Sequence, residues 1–201
     1  KKILEDYSLW DNNDCWMAVG SVDSDDKDLN NAAIIGSQQS NAANALVEKI
    51  VNCGDSALLL RCQEEGIDIQ GDEAPENVKC AMEKFLDLDD GRWINMTPTE
   101  GTLLAKKYCN VVATGEKGRN SNPTYTIIDN CEGQDPIDFK KTFMSLTRKN
   151  KMTVKFVQGK FGMGSFGAVN FCTKYGLQLI ISKRNPNLIC QNHKNEWGFT
   201  V

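Results

Sequence analysis

Residues 159–167 read Gly-Lys-Phe-Gly-Met-Gly-Ser-Phe-Gly, four glycines in nine positions, directly after the β-branched run Thr153–Val157. A loop so composed turns tightly, and its N–H groups can approach an anion because no Cβ stands in the way. Three phosphate-binding patterns fit it. Gly162 through Val169 matches the kinase pattern G-x-G-x-x-G-x-V. The same glycines match the dinucleotide pattern G-x-G-x-x-G, and Gly159, Gly162 and Gly164 give a wider G-x-x-G-x-G. The kinase reading ranks last, since the 32 residues after Val169 contain neither H-R-D nor D-F-G. The dinucleotide reading expects an acidic residue about 20 positions on, to hold a ribose hydroxyl. This chain has the basic Ser182-Lys-Arg-Asn-Pro186 there. A glycine-rich turn without a ligand is the plain alternative.

Two further constellations carry polar chemistry. Glu48, Asn52 and Asp55 recur at i, i+4 and i+7, which places them in one stripe of a helix. A carboxylate there can polarise water, the amide can hold a metal, and the second carboxylate can meet a ligand or a neighbouring element. A solvated polar stripe explains the same letters. The second is Asp129-Asn-Cys-Glu-Gly133 at the end of a strand-like run. Its Asp can accept from a ligand amino group while Gly133 lets the backbone come close, although such residues also make ordinary turns.

The elements that must position these residues follow from capping and periodicity. Ser40 is expected to cap a helix running to about Arg61, with Leu46, Val47, Ile50, Cys53, Gly54, Ala57 and Leu58 on its apolar face, opposite the polar stripe. Further helices are expected near Ala74–Leu88, with Pro75 in the first turn, and near Pro98–Tyr108, capped by Thr97 or Thr99. A hairpin should pair 110–114 with 124–128 across a Gly/Asn/Pro-rich loop. The spacing then predicts a helix over 136–147, a basic segment Arg148-Lys-Asn-Lys151, a strand over 152–157, a helix over 164–175 and a buried strand over 177–182.

Length and composition bound the function. A chain of 201 residues, 40% hydrophobic and 25% charged, is expected to fold as one domain with a sizeable core. The net charge of −4 gives no global footprint for nucleic acid, despite local basic clusters at 148–151 and Lys183-Arg184. No apolar run approaches the about 20 residues of a membrane span. The cluster Asp23-Ser-Asp-Asp-Lys-Asp28 lacks the spacing of a calcium loop and reads as a solvated turn. Eight cysteines without C-x-x-C spacing, and the one histidine His193, argue against a zinc finger and for reduced core thiols in a cytoplasmic protein. The final Trp197-Gly-Phe-Thr-Val201 reads as an unfinished strand, so the chain is expected to be part of something longer.

Taken in order, E-x-x-x-N-x-x-D, then D-N-x-x-G, then G-x-x-G-x-G resemble the GHKL (Bergerat-fold) ATPase superfamily, over residues 38–201. The motif forms are most similar to those of ninety-kilodalton heat-shock chaperones, mismatch-repair MutL proteins and DNA gyrase B, less to sensor histidine kinases. The resemblance implies an α/β (α+β) two-layer sandwich, with a mixed, mostly antiparallel sheet covered by helices on one face. It implies Mg²⁺-dependent ATP binding and hydrolysis, driving lid closure or conformational switching of a larger protein. An ATP-binding sensor or structural module without turnover is the alternative.

Residue by residue, the resemblance makes Glu48 the catalytic base or water-orienting carboxylate and Asn52 the Mg²⁺ ligand. Asp55 would lie near the nucleotide, Asp129 would accept from the adenine amino group, and Gly133 would let the adenine site close. Gly159, Lys160, Gly162 and Gly164 would contact the phosphates, with one of the lid residues Arg148, Lys149 and Lys151 reaching the γ-phosphate. Cys131 departs from the family's D-x-G-x-G, and residues 62–108 resemble a family-specific insertion. The last family strand, with a Gly-Thr that helps hold adenine, would lie beyond Val201. The implied partners are ATP, downstream domains of the same chain and, in the full-length protein, a second copy. The insertion and basic lid loosely resemble prokaryotic ATP-binding proteins.

Overall fold

The computed structural model describes residues 2–16, 41–115, 118, 122–143, 153–159, 167–172, 176–189 and 194–201. The acidic loop 23–28, the basic segment with Lys149, the loop residues Lys160, Gly162 and Gly164, and His193 lie outside the described residues.

Four α-helices and two small antiparallel ladders make a mixed α+β arrangement among the described residues. Helix α1 is Lys2–Asp6, α2 Ala42–Glu64, α3 Val78–Leu86 and α4 Pro98–Tyr108. Strands β1 (Cys109–Thr114) and β2 (Thr124–Asp129) pair antiparallel, with Cys109 opposite Asp129. Strands β3 (Ile180–Ser182) and β4 (Gly198–Thr200) form the second ladder, with Ile181 opposite Phe199. Two separate two-stranded ladders therefore stand where one mixed sheet was expected.

Local signals explain the well-placed elements. Asn41, not Ser40, caps α2: its side chain accepts from the Asn44 N–H at 2.9 Å. Thr97 caps α4 in a full capping box with Glu100, and Pro98 fills the first turn, where a missing N–H costs nothing. The 74–88 helix is shorter than expected. It begins after Asn77, whose side chain accepts from Cys80 N, and ends where Asp87 turns left-handed, so Pro75 lies outside it.

The core gathers Leu58, Leu59 and Cys62 of α2, Ala81, Met82 and Phe85 of α3, and Val154, Phe156 and Val157. Phe85 and Phe156 meet edge to face at 6.3 Å. Residues within 62–88 thus share the main core with α2 and 154–157. The expected strand 152–157 is not one among its described residues. Its alternation survives, with Val154 and Phe156 buried and Thr153 and Lys155 exposed, but burial by α2 and α3 replaces a ladder. The expected helix 136–147 is a 3-10 helix over Pro136–Lys141, capped by Asp135. Of 164–175, the described part holds only a 3-10 turn at Val169–Phe171. The strand expected over 177–182 is paired only from Ile180.

Candidate functional site

Helix α2 is where the three motifs meet, and its buried face follows the expected one only in part: Cys53, Ala57 and Leu58 are buried as the sequence suggests. Val47 and Ile50, assigned to the buried face, are 56% and 40% exposed, while Asp55 of the polar stripe is 3% exposed. A buried carboxylate must have its lone pairs occupied. Asp55 Oδ1 accepts from the Gln158 N–H at 2.9 Å, and Oδ2 from the Gly159 N–H at 2.7 Å. Two successive amides at the start of the glycine loop are thus fastened to the helix, 103 and 104 residues away along the chain. Asp55 therefore holds the loop's first residues.

Gly159 is needed there for space. A Cβ on it would stand 2.7 Å from Asn52 Oδ1 and 3.1 Å from Asp55 Oδ2. Asn52 therefore faces the loop one turn before Asp55, and Glu48 lies one turn before Asn52 on the same stripe. Asn52 supplies one neutral amide oxygen there, whereas Mg²⁺ in proteins is usually held through one or two carboxylates together with waters and substrate phosphates. Among the described residues no group of three or more His, Cys, Asp or Glu side chains could hold a metal.

The Asp129–Gly133 turn reaches the same helix at Cys53. Asp129 ends β2 opposite Cys109; the strand is largely exposed, as is Asp129 itself. Asn130 N–H donates to the Tyr108 carbonyl at 3.3 Å. The Cys131 thiol, 5% exposed, lies 3.7 Å from the Cys53 carbonyl of α2 and 3.6 Å from that of Tyr108. The Cys131 side chain thus acts as a hook onto the helix. Burial, then the Asp129 carboxylate, push the Cys131 and Cys53 thiols up from their ordinary range, so both stay protonated near neutral pH. Gly133 has φ +61°, and a Cβ there would run into the Lys183 carbonyl, whose carbon would be 2.9 Å away.

Several contributors escaped sequence reasoning. Lys49, next to Glu48, is half-buried, and burial lowers its ammonium to about 8, against the opposing pull of Glu48, Cys172 and Cys53. Gln63, Arg184 and Asn185 bond the outer side of the 131–133 turn. Only the basic pair Lys183-Arg184, beside a strand-like run, signalled them in the sequence. An open concavity of about 500 Å³ lies beside Gln158, walled by Met82, Arg92, Trp93 and Ile94. Glu48, Asn52 and Asp129 do not line it, so it is distinct from the motif residues.

Comparison of the chain with protein-family models, with curated proteins and with solved structures finds no match.

Proposed function

We propose that this chain is a GHKL-type, Bergerat-fold domain that binds Mg²⁺·ATP and hydrolyses it. The observation that carries the reading is the attachment of two remote motifs to one helical stretch. Asp55 takes the amides of Gln158 and Gly159, while Cys131 docks on Cys53. Glycine-loop and turn letters arising by chance in a plain connector would have no reason to meet residues 52–55.

In this reading Asn52 holds Mg²⁺, which bridges the phosphates and offsets their charge. Glu48, one turn earlier, orients the attacking water and takes its proton. Asp129 accepts from the adenine amino group, and the glycine loop that follows Gly159, whose own N–H is taken by Asp55, offers N–H donors to the phosphates. Lys149, Lys160, Gly162 and Gly164 complete the phosphate side as the family resemblance implies. The buried free thiols Cys53, Cys62 and Cys131 accord with the reducing, cytoplasmic setting that the reading assumes. No helix among the described residues is long and apolar enough to cross a membrane.

The Glu48→Ala variant tests the reading. Phosphate release from Mg²⁺·ATP should fall by about 100-fold or more, with ATP affinity retained in calorimetry. Wild-type protein that binds ATP without turnover would instead be a sensor, and no binding at all would end the proposal.

A further inference from the structure

Three thiols converge where α2, the start of β1 and the 129–133 turn meet. Cys53 and Cys131 are buried, Cys109 is half-buried, and all three are free. The Cys53 thiol makes a side-chain hydrogen bond with the Cys109 thiol. The Cys131 thiol is engaged elsewhere: it lies against the Cys53 and Tyr108 carbonyls and bonds the Asp129 side chain. Cys53 and Cys109 therefore face each other sulfur to sulfur, and Cys109 is the member of the cluster that a reagent in solution reaches.

We propose that Cys53 and Cys109 are a redox-active pair that closes into a reversible disulfide and staples α2 to β1; the inference is independent of the ATP reading. The order of events follows from exposure, with a small disulfide such as oxidised glutathione as the oxidant. The Cys109 sulfur attacks one glutathione sulfur, giving a mixed disulfide, and the first glutathione thiol leaves with the Cys109 proton. The Cys53 sulfur then attacks the Cys109 sulfur. The bond to glutathione breaks, and the second glutathione thiol leaves with the Cys53 proton. Two protein thiols are oxidised while one glutathione disulfide is reduced to two thiols, so the exchange balances. Burial and the Asp129 carboxylate keep Cys53 protonated near neutral pH, which makes it inert toward reagents in solution. Contact offsets that, because the second step occurs within one molecule rather than by collision. A disulfide needs its sulfurs about 2.05 Å apart with the Cβ–S–S–Cβ angle near 90°, and thiols already in hydrogen-bonding contact approach that by side-chain rotation. The bridge closes a loop from 53 to 109 whose ends the fold already holds together, so it restricts chiefly the unfolded chain.

The test incubates the 201-residue chain with oxidised glutathione, alkylates the remaining thiols and maps the digested peptides by mass spectrometry. The expected product is a linked pair containing Cys53 and Cys109, about 2 Da lighter than its two free-thiol peptides together and released by dithiothreitol. C131S should still form it and C109S should not; mapping of the wild type carries the readout if a variant does not fold. The bridged protein should melt about 5 °C or more above the reduced one. A mixed disulfide that persists on Cys109, a bridge from Cys53 to Cys131, or the absence of any Cys53–Cys109 linkage overturns the inference. So does a bridged form that melts below the reduced one, since it would not be a staple.

Discussion

Lys49 shows how much of a residue's behaviour is set by neighbours that the sequence does not put beside it. Burial draws its ammonium down to about 8 from 10.5, and neither Glu48 nor the thiols of Cys53 and Cys172 restore it. Between those two values the unfolded chain holds a proton that the folded chain has released. Stability should therefore rise as pH climbs from about 8 toward 10.5, and below about 8 the full cost of a buried ammonium is borne. Lys49→Met should stabilise the protein at pH 7 by about 1 to 3 kcal/mol. That advantage should shrink at pH 10. Urea midpoints at both pH values check this, and a gain that did not vary with pH would contradict it. Asn52 and Asp55, which face the start of the glycine loop, could be picked out by residue type and spacing, because acceptors at helical intervals are visible in one dimension. Arg184 and Lys49 could not, since their roles depend on partners such as Gln63 and Cys172, more than 100 residues away.

At the scale of elements, legibility followed locality. Helix α4 was readable because Thr97, Pro98 and Glu100 specify its start within four residues. Glu100 Oε2 accepts from the Thr97 N–H at 2.8 Å and the hydroxyl at 2.7 Å, and these bonds hold its carboxyl below the usual range. Thr97→Ala should cost about 1 kcal/mol, seen as a lower thermal midpoint and a loss of helical circular dichroism. The β1–β2 hairpin was equally readable, from its β-branched runs and the intervening loop. Residues 153–157 were not, because their alternation signals burial on one side and says nothing about which element provides it. The face of α2 was misjudged in part for a related reason. Counting apolar residues cannot reveal that a loop amide pair, not water, satisfies Asp55, so the sequence leaves open whether the polar stripe faces solvent or a site, and in the fold Asp55 alone of it is buried.

For the molecule as a whole, the mixed α+β class was legible, while the division into two small ladders and the position of the core were not. Phe156 is fully buried and joins the glycine-loop approach to α3 through Phe85. Phe156→Ala should cost about 3 to 5 kcal/mol. Chemical denaturation would measure it, and a loss below about 1 kcal/mol would mean that this contact does not hold the two regions together.

The double bond from Asp55 to the backbone has a consequence for how force would travel. Val154, Phe156 and Val157 are embedded between α2 and α3, and the next two amides are tethered to α2. Gly159 is therefore a fixed pivot post, unable to shift without dragging the long helix along. A pull on the chain at that post would bear first on Asp55 in the long helix and, by way of Phe156, on Phe85.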